Sequence, residues 1–309
     1  MTQKQQILIT GASGLIGSRL TEFLIERGYV VKHLVRSPKP NASIPTFKWN
    51  VEKGIIDAEA LSDTEIVVHL AGAGIGDKRW TTHNRRQIVN SRTQSTALLV
   101  NTLSQLKQHR VKTIIGASAI GYYGNRADQL LSESDLPQEN DFLSETTRLW
   151  EQSYLPFINE LGIRSCIFRI GIVLSNKGGA LPKMDLPVRF CAPGFYFGTG
   201  KQFYSWIHID DLCRLFIHAI ENTHMSGTYN AVSPNPVTNK EFVLSILSAK
   251  ERYALALPVP EWALRIGLGQ MADIIFHSAK ASSSKVENSG FSFNFPNLRS
   301  ALKNIYDKP

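Results

Sequence analysis

The segment ILITGASGLIGSRL, residues 7–20, constrains this chain more than any other. A short β-prone run at 7–10 leads into Gly11, Gly14 and Gly17. Beyond it Leu15, Ile16, Leu20, Phe23 and Leu24 recur at helical spacing. Glycines three apart between a strand and a helix have separate uses. The first permits a tight turn, the second lets backbone approach a pyrophosphate, and the third allows close helix–strand packing. The helix N-terminus adds free N–H groups and partial positive charge. The segment reads as a dinucleotide-binding turn, with Gly11, Ser13, Gly14, Leu15, Ile16 and Gly17 as the expected cofactor contacts.

Strand and helix patterns then alternate. Strands are expected at 30–35, 46–49, 65–70, 113–117 and 164–174. Helices are expected at 86–109 and at 142–161, the second kinked by Pro156. Gly28 should end the first helix. Such alternation implies right-handed βαβ units and a parallel sheet covered on both faces. The expected fold class is α/β: a Rossmann-type doubly wound parallel sheet with a smaller mixed α/β C-terminal lobe. Residues 1–174 would form the Rossmann domain, with 201–232 partly returning to it. Residues 175–200 and 233–309 would form the smaller lobe. The Gly- and Pro-rich stretch 177–200 reads as loops, whereas 207–222, 238–249 and 262–275 read as helical or amphipathic.

The end of the second strand bears on which dinucleotide is bound. An NAD site usually carries Asp or Glu about 20 residues past the loop, to hold the ribose hydroxyls. Here Arg36 stands at that place and Ser37 follows it. A guanidinium fork suits a 2′-phosphate, so NADP is favoured over NAD.

The composition narrows the remaining classes. With 43% hydrophobic and 19% charged residues, the chain is globular rather than disordered. The formal net charge of +8 makes anionic partners an option. No recognition-helix or RNA-binding motif accompanies it, so nucleic acid is not expected. Cys166, Cys191 and Cys213 are too few and too far apart for a disulfide framework or a zinc site. They fit a reducing compartment. The N-terminus, residues 1–6, is polar, and no apolar run approaches membrane-spanning length. The expectation is a cytoplasmic protein that does not engage a membrane.

In a doubly wound fold, ligands lie across the carboxyl ends of the strands. LAGAGIG, residues 70–76, offers small residues there, so Leu70, Ala71 and Gly72 are expected to line the cofactor. SAIGYYG, residues 118–124, brings Ser118, Tyr122 and Tyr123 to the same crevice. Together with TGASGLIG, HLAG and SWIHIDDL, these motifs resemble the extended short-chain dehydrogenase/reductase superfamily. More closely, the chain is similar to its epimerase-like subfamily, sometimes labelled cell-division inhibitor. AGAGIGDKRWT, the pair Ser91 and Arg92, RIGIVLS, GGALPKM and GTYNAVSPNPVTNKEF carry that closer likeness, and residues 255–302 resemble the small C-terminal domain of unknown function in that subfamily.

The resemblance implies a nicotinamide-dependent oxidoreductase or epimerase. It also implies a Tyr-x-x-x-Lys pair, in which lysine lowers the tyrosine pKa for proton transfer. None of the nine tyrosines has lysine four positions on. With Glu151 taken as the glutamate that follows the pair, Leu143 and Thr147 occupy the two positions, and neither can transfer a proton as that pair does. Ser118 and Tyr123 are the substitutes expected to carry catalysis. Lys78, Arg79, Arg85 and Arg86 could hold an acidic small-molecule substrate or form a solvated basic face. Trp80 and Trp206 are pocket walls or packing residues. His208, Asp210 and Asp211 do not read as a metal set, and Asp211 is expected to cap or pair locally. A second reading is an NADP(H)-binding, redox-responsive regulatory module without turnover. By analogy with the superfamily a homodimer is open, through the helices expected near 86–109 and 142–161.

Overall fold

The computed structural model describes residues 5–39, 41–189, 193–252 and 255–307, with backbone alone at 187–189. Cys191 and residues 1–4, used in the reading above, lie outside the described residues.

The first strand β1 (Gln6–Thr10) feeds helix α1 (Leu15–Glu26), and Gly28 at φ +84° turns the chain into β2 (Val30–Val35). β3 (Thr46–Asn50), the short β4 (Ile55–Ile56), β5 (Ile66–His69) and β6 (Thr113–Ala119) follow. Two further strands, Arg164–Ile170 and Gly227–Ala231, complete an eight-stranded sheet. From one edge the order is 227–231, 164–170, β6, β5, β1, β2, β3, β4. Every neighbouring pair is parallel except β3 with β4. The chain moves outward from β1 to β2 and β3, then crosses back to β5. The switch between β1 and β5 is where such a sheet opens a crevice. Ile7, Leu8 and Ile9, with Val67, Val68, Ile114 and Ile115, are buried, as a sheet covered on both faces requires.

Register decides which side chains meet at the carboxyl edge. Thr10 stands level with His69 and with Leu34, and His69 stands level with Gly116. β6 then runs three residues further and keeps pairing, which sets Ser118 opposite Arg169.

Several elements differ from the sequence expectation, each for a local reason. The long helix is Thr82–Gln105, starting earlier than expected because the Thr81 side chain accepts from the Asn84 N–H at 3.2 Å. The region 142–161 is two helices, Phe142–Gln152 and Leu155–Asn159, with Pro156 in the first turn of the second, where it is tolerated. Strand 164–174 breaks at Gly171, where a Cβ would lie 2.6 Å from the Ser205 carbonyl oxygen. Beyond it Ile172–Leu174 leaves the main sheet and pairs with Trp206–His208. The stretch read as loops contains helix Leu181–Arg189 and strand Gly194–Phe197.

The C-terminal portion has an apolar cluster of its own, including Leu174, Leu181, Tyr204, Trp206, Phe242, Leu302 and Ile305. Helix Asn239–Ala249 begins with a capping box between Thr238 and Glu241. The buried Asp211 carboxylate accepts from the backbone N–H groups of Asn294 and Phe295 at 2.9 and 2.8 Å, and from Arg214 at 2.8 Å. Among the described residues, no helix is long and apolar enough to cross a membrane.

Candidate functional site

Gly11 takes φ +68°, and a Cβ there would meet the Leu70 carbonyl at 2.8 Å. At Gly17 a Cβ would lie 2.4 Å from the Gly11 carbonyl oxygen. Side chains at these positions would therefore fill the turn. Ser13 and Gly14 are exposed at the N-terminus of α1, Leu15 and Ile16 are half-buried, and no acidic side chain occupies that first turn. The expected contacts Gly11 to Gly17 and Leu70 to Gly72 thus meet at the switch point, as a cradle of backbone that could hold a dinucleotide pyrophosphate. Arg36 and Ser37 are exposed at the end of β2, and Arg36 makes no hydrogen bond or ion pair among the described residues.

A polar chain fixes the position of the cradle. The N–H groups of Leu70 and Ala71 both donate to Thr10 Oγ1, at 3.1 and 3.2 Å. Thr10 Oγ1 is 2.7 Å from His69 Nδ1, and His69 Nε2 is 3.1 Å from Ser95 Oγ. Ser95 Oγ donates to the Arg92 carbonyl at 2.9 Å. These roles assign one tautomer: Thr10 donates to Nδ1, and the Nε2 proton goes to Ser95. Burial lowers the His69 pKa to about 3, so the ring is neutral. Ser91 holds the next stretch by accepting from the Ala73 N–H at 3.0 Å.

Another network lies beyond β6. Ser118 Oγ donates to Glu151 at 2.7 Å. Arg169 grips the same carboxylate with Nε and Nη2, both at 2.8 Å, and both side chains are largely buried. Burial works against the Arg169 charge, but the bonds to Glu151 outweigh it and the guanidinium pKa is raised. The remaining arm of Arg169 donates to the Tyr123 hydroxyl at 2.9 Å, and the guanidinium lies 3.4 Å from the Tyr122 ring centroid.

Tyr123 departs from expectation. It is 0% exposed. Its hydroxyl lies 2.7 Å from Asn230 Oδ1 and 2.9 Å from the Ser132 carbonyl, and accepts from Arg169. Burial pushes its pKa up to about 12. A phenol so enclosed presents no exposed surface to the crevice. Ser118, at 2% exposure, is brought to the strand end with its hydroxyl committed to Glu151. The Leu143 and Thr147 side chains are buried on helix Phe142–Gln152. Thr147 Oγ1 donates to the Leu143 carbonyl at 2.8 Å.

The other candidates mostly pack. Trp206 is buried and donates to the Asn235 carbonyl at 2.9 Å. Trp80 donates to the Ile75 carbonyl at 2.9 Å and meets Phe142 edge-on. Arg79 donates to the Gly267 carbonyl at 2.8 Å, and Arg85 bonds Gln270, so they tie the C-terminal helices to the loop before helix Thr82–Gln105 and to that helix's start. Asp210 pairs with Arg19 at 2.8 Å, and no metal-binding group of three or more His, Cys, Asp or Glu occurs among the described residues.

Sequence reasoning did not assign Thr10, His69, Ser95 or the Glu151–Arg169 pair. A histidine ending an otherwise apolar strand was the one local signal.

Comparison with known proteins identifies the family. The NAD dependent epimerase/dehydratase family profile matches residues 7–232, and a domain of unknown function (DUF1731) matches 259–305. An epimerase family protein of Bacillus subtilis is 36% identical over 301 residues, covering 97% of each chain. One from Mycobacterium leprae is 34% identical over 309 residues, 100% of this chain and 98% of that one. A human epimerase family protein solved with NADPH superposes with a TM-score of 0.88 at 29% identity, covering 99% of this chain and all of that one. A UDP-glucuronic acid 4-epimerase of Bacillus cereus, at 19% identity and TM-score 0.80 with 98% of each chain covered, shares the fold alone. The chain therefore belongs to the NAD dependent epimerase/dehydratase family, among the extended short-chain dehydrogenases/reductases.

Proposed function

We propose that this chain binds NADP(H) across the carboxyl ends of β1 and β5 and acts as an oxidoreductase or epimerase-like enzyme on a small polar substrate. The observation that carries the reading is the backbone cradle at Gly11, Gly14 and Gly17, closed against Leu70 and Ala71. The dinucleotide, when bound, supplies hydride exchange. Arg36 and Ser37 would hold its 2′-phosphate, which supports NADP over NAD. The human relative solved with NADPH points the same way. Ser118 is the hydroxyl proposed to orient a substrate oxygen, a role that requires its hydrogen to turn from Glu151 to the substrate. With Leu143 and Thr147 in place of a Tyr–Lys pair, the proton comes from the substrate or from water. The homodimer suggested by analogy stays part of this proposal, as does the cytoplasmic location.

A second reading is favoured by that same pair of positions. Binding without turnover, as a redox-responsive module, needs the cradle and no acid–base pair.

Titration with NADPH and NADH tests the cofactor assignment. Arg36→Ala should weaken NADPH binding about tenfold or more, the loss of a charged hydrogen bond worth about 1.5–3 kcal/mol, and leave NADH unchanged. Equal affinity for the two cofactors in the unmodified protein would refute the role of Arg36. NADPH oxidation on a panel of carbonyl compounds and nucleotide sugars separates the two readings. Turnover that falls in Ser118→Ala and survives in Tyr123→Phe fits the enzyme described. No turnover on the whole panel supports the binding module.

A further inference from the structure

Arg92 is a charged side chain the arrangement above leaves without work. It lies on helix Thr82–Gln105, next to Ser91, which holds the loop after β5. Its guanidinium sits against that loop: Cζ would be 3.4 Å from a Cβ at Gly72. On its other side it stacks over the Trp150 ring, 4.8 Å from the centroid. Trp150 belongs to helix Phe142–Gln152, which also carries Leu143 and Thr147. Arg92 therefore stands between the end of β5 and the helix where a Tyr–Lys pair would lie.

Its partners are few. Nη1 donates to the Ile88 carbonyl at 2.9 Å, and no carboxylate pairs with it among the described residues. The contrast with Arg169, whose carboxylate grips it through two bonds, is direct. Burial lowers the Arg92 pKa to about 10, the mark of a cation with too little compensation. A largely buried cation without a counter-ion is one that a bound anion would stabilise. The side chain retains partial exposure, so its remaining donors are not sealed off. Of the four earlier candidates for an acidic substrate, Arg79 and Arg85 spend donors on Gly267 and Gln270, and Lys78 and Arg86 are exposed.

We propose that Arg92 is the anion-binding residue of the substrate site, holding a carboxylate or phosphate group of the substrate beside Gly72. The planar fork suits both groups. This deepens the function proposed above and rests on it for the word substrate, whereas the anion site itself stands on Arg92, Gly72 and Trp150 alone.

Trp150 lies against the guanidinium, so its fluorescence reports binding there. The protein is titrated with malonate and, separately, with inorganic phosphate, each with and without saturating NADP+, which does not absorb where tryptophan emits. A saturable change is expected for at least one probe, and Trp150→Phe should remove the signal. Arg92→Gln should raise the probe Kd tenfold or more, and Arg92→Lys should recover most of the binding. NADP+ affinity should stay within about twofold in Arg92→Gln. A melting temperature in Arg92→Gln equal to or above that of the unmodified protein shows that the arginine is not there for stability.

Unchanged probe affinity in Arg92→Gln, or no saturable response to either probe, overturns the proposal. A tenfold loss of NADP+ affinity in the same variant also overturns it, by giving Arg92 to the cofactor phosphates. If NADP+ binds neither form, the cofactor reading falls, and the titration without NADP+ still decides whether Arg92 binds anions.

Discussion

The two ends of the crevice are built on different principles. At β1 the site is main chain: glycines admit a close approach, and N–H groups at the start of α1 are the offered donors. At β6 the site is side chain: Ser118, Glu151, Arg169 and Tyr123 satisfy one another in a closed set. The first kind leaves donors open for a ligand and the second leaves almost none. That difference fits the binding role proposed for the cradle, and Arg92 is the exception at the side-chain end.

If the side-chain end is a closed set, breaking it costs stability first. Glu151→Ala or Arg169→Ala should lower the unfolding free energy by about 3–5 kcal/mol in chemical denaturation, because each leaves a buried charge uncompensated. The double variant should lose less than the two single losses summed. Additive losses would mean that the two side chains act separately.

If the main-chain end depends on close approach, Gly17→Ala should cost about 1–3 kcal/mol of stability and also abolish NADPH binding in a fluorescence titration. A folded Gly17→Ala protein that binds NADPH normally would break the comparison at that end.

The polar chain behind the cradle makes a prediction in pH. The His69 pKa is near 3 in the folded protein and near 6.5 in the unfolded chain. Between those values the unfolded state binds the extra proton, so stability is complete above about pH 6.5 and declines as the pH falls. The decline attributable to His69 is on the order of 1.4 kcal/mol per pH unit. Denaturation of the unmodified protein and of His69→Gln at pH 7.5, 6 and 5 measures it, and the gap between them should shrink toward low pH. Parallel pH profiles would show that His69 does not stay neutral. The smallest effect is at the cap: Thr81→Ala should cost about 1 kcal/mol while leaving cofactor affinity in place.

The same division explains what could be read beforehand. A cradle made of backbone is encoded by consecutive residues, so Gly11, Gly14 and Gly17 announce it, and the alternating apolar runs announce the sheet around it. A closed side-chain set is encoded by residues that meet only after folding. Asn230 and Tyr123 are 107 positions apart, and nothing near SAIGYYG says that its second tyrosine will be sealed in. Ser118 and Glu151, 33 positions apart, meet because β6 outruns β5 and helix Phe142–Gln152 crosses back, a matter of register. Helix Leu181–Arg189 was hidden by its prolines, although Pro182 falls in the first turn, where its missing N–H does no harm. The extent of helix Thr82–Gln105 was set by a capping threonine that apolar spacing does not report.

The grip of Asp211 on Asn294 and Phe295 has a consequence for how this protein is made. Helix Ile209–Glu221, which bears that carboxylate, packs on α1 beside the main sheet, and it is synthesised before Asn294 and Phe295. Its buried acid has to wait for partners that are translated 83 and 84 residues later. Until residues 294 and 295 are synthesised, a half-made protein carries a carboxylate bound for the interior without the two N–H groups that complete its shell there. A chain lacking residues 294 and 295 would leave the Asp211 carboxylate with Arg214 but without those two backbone donors.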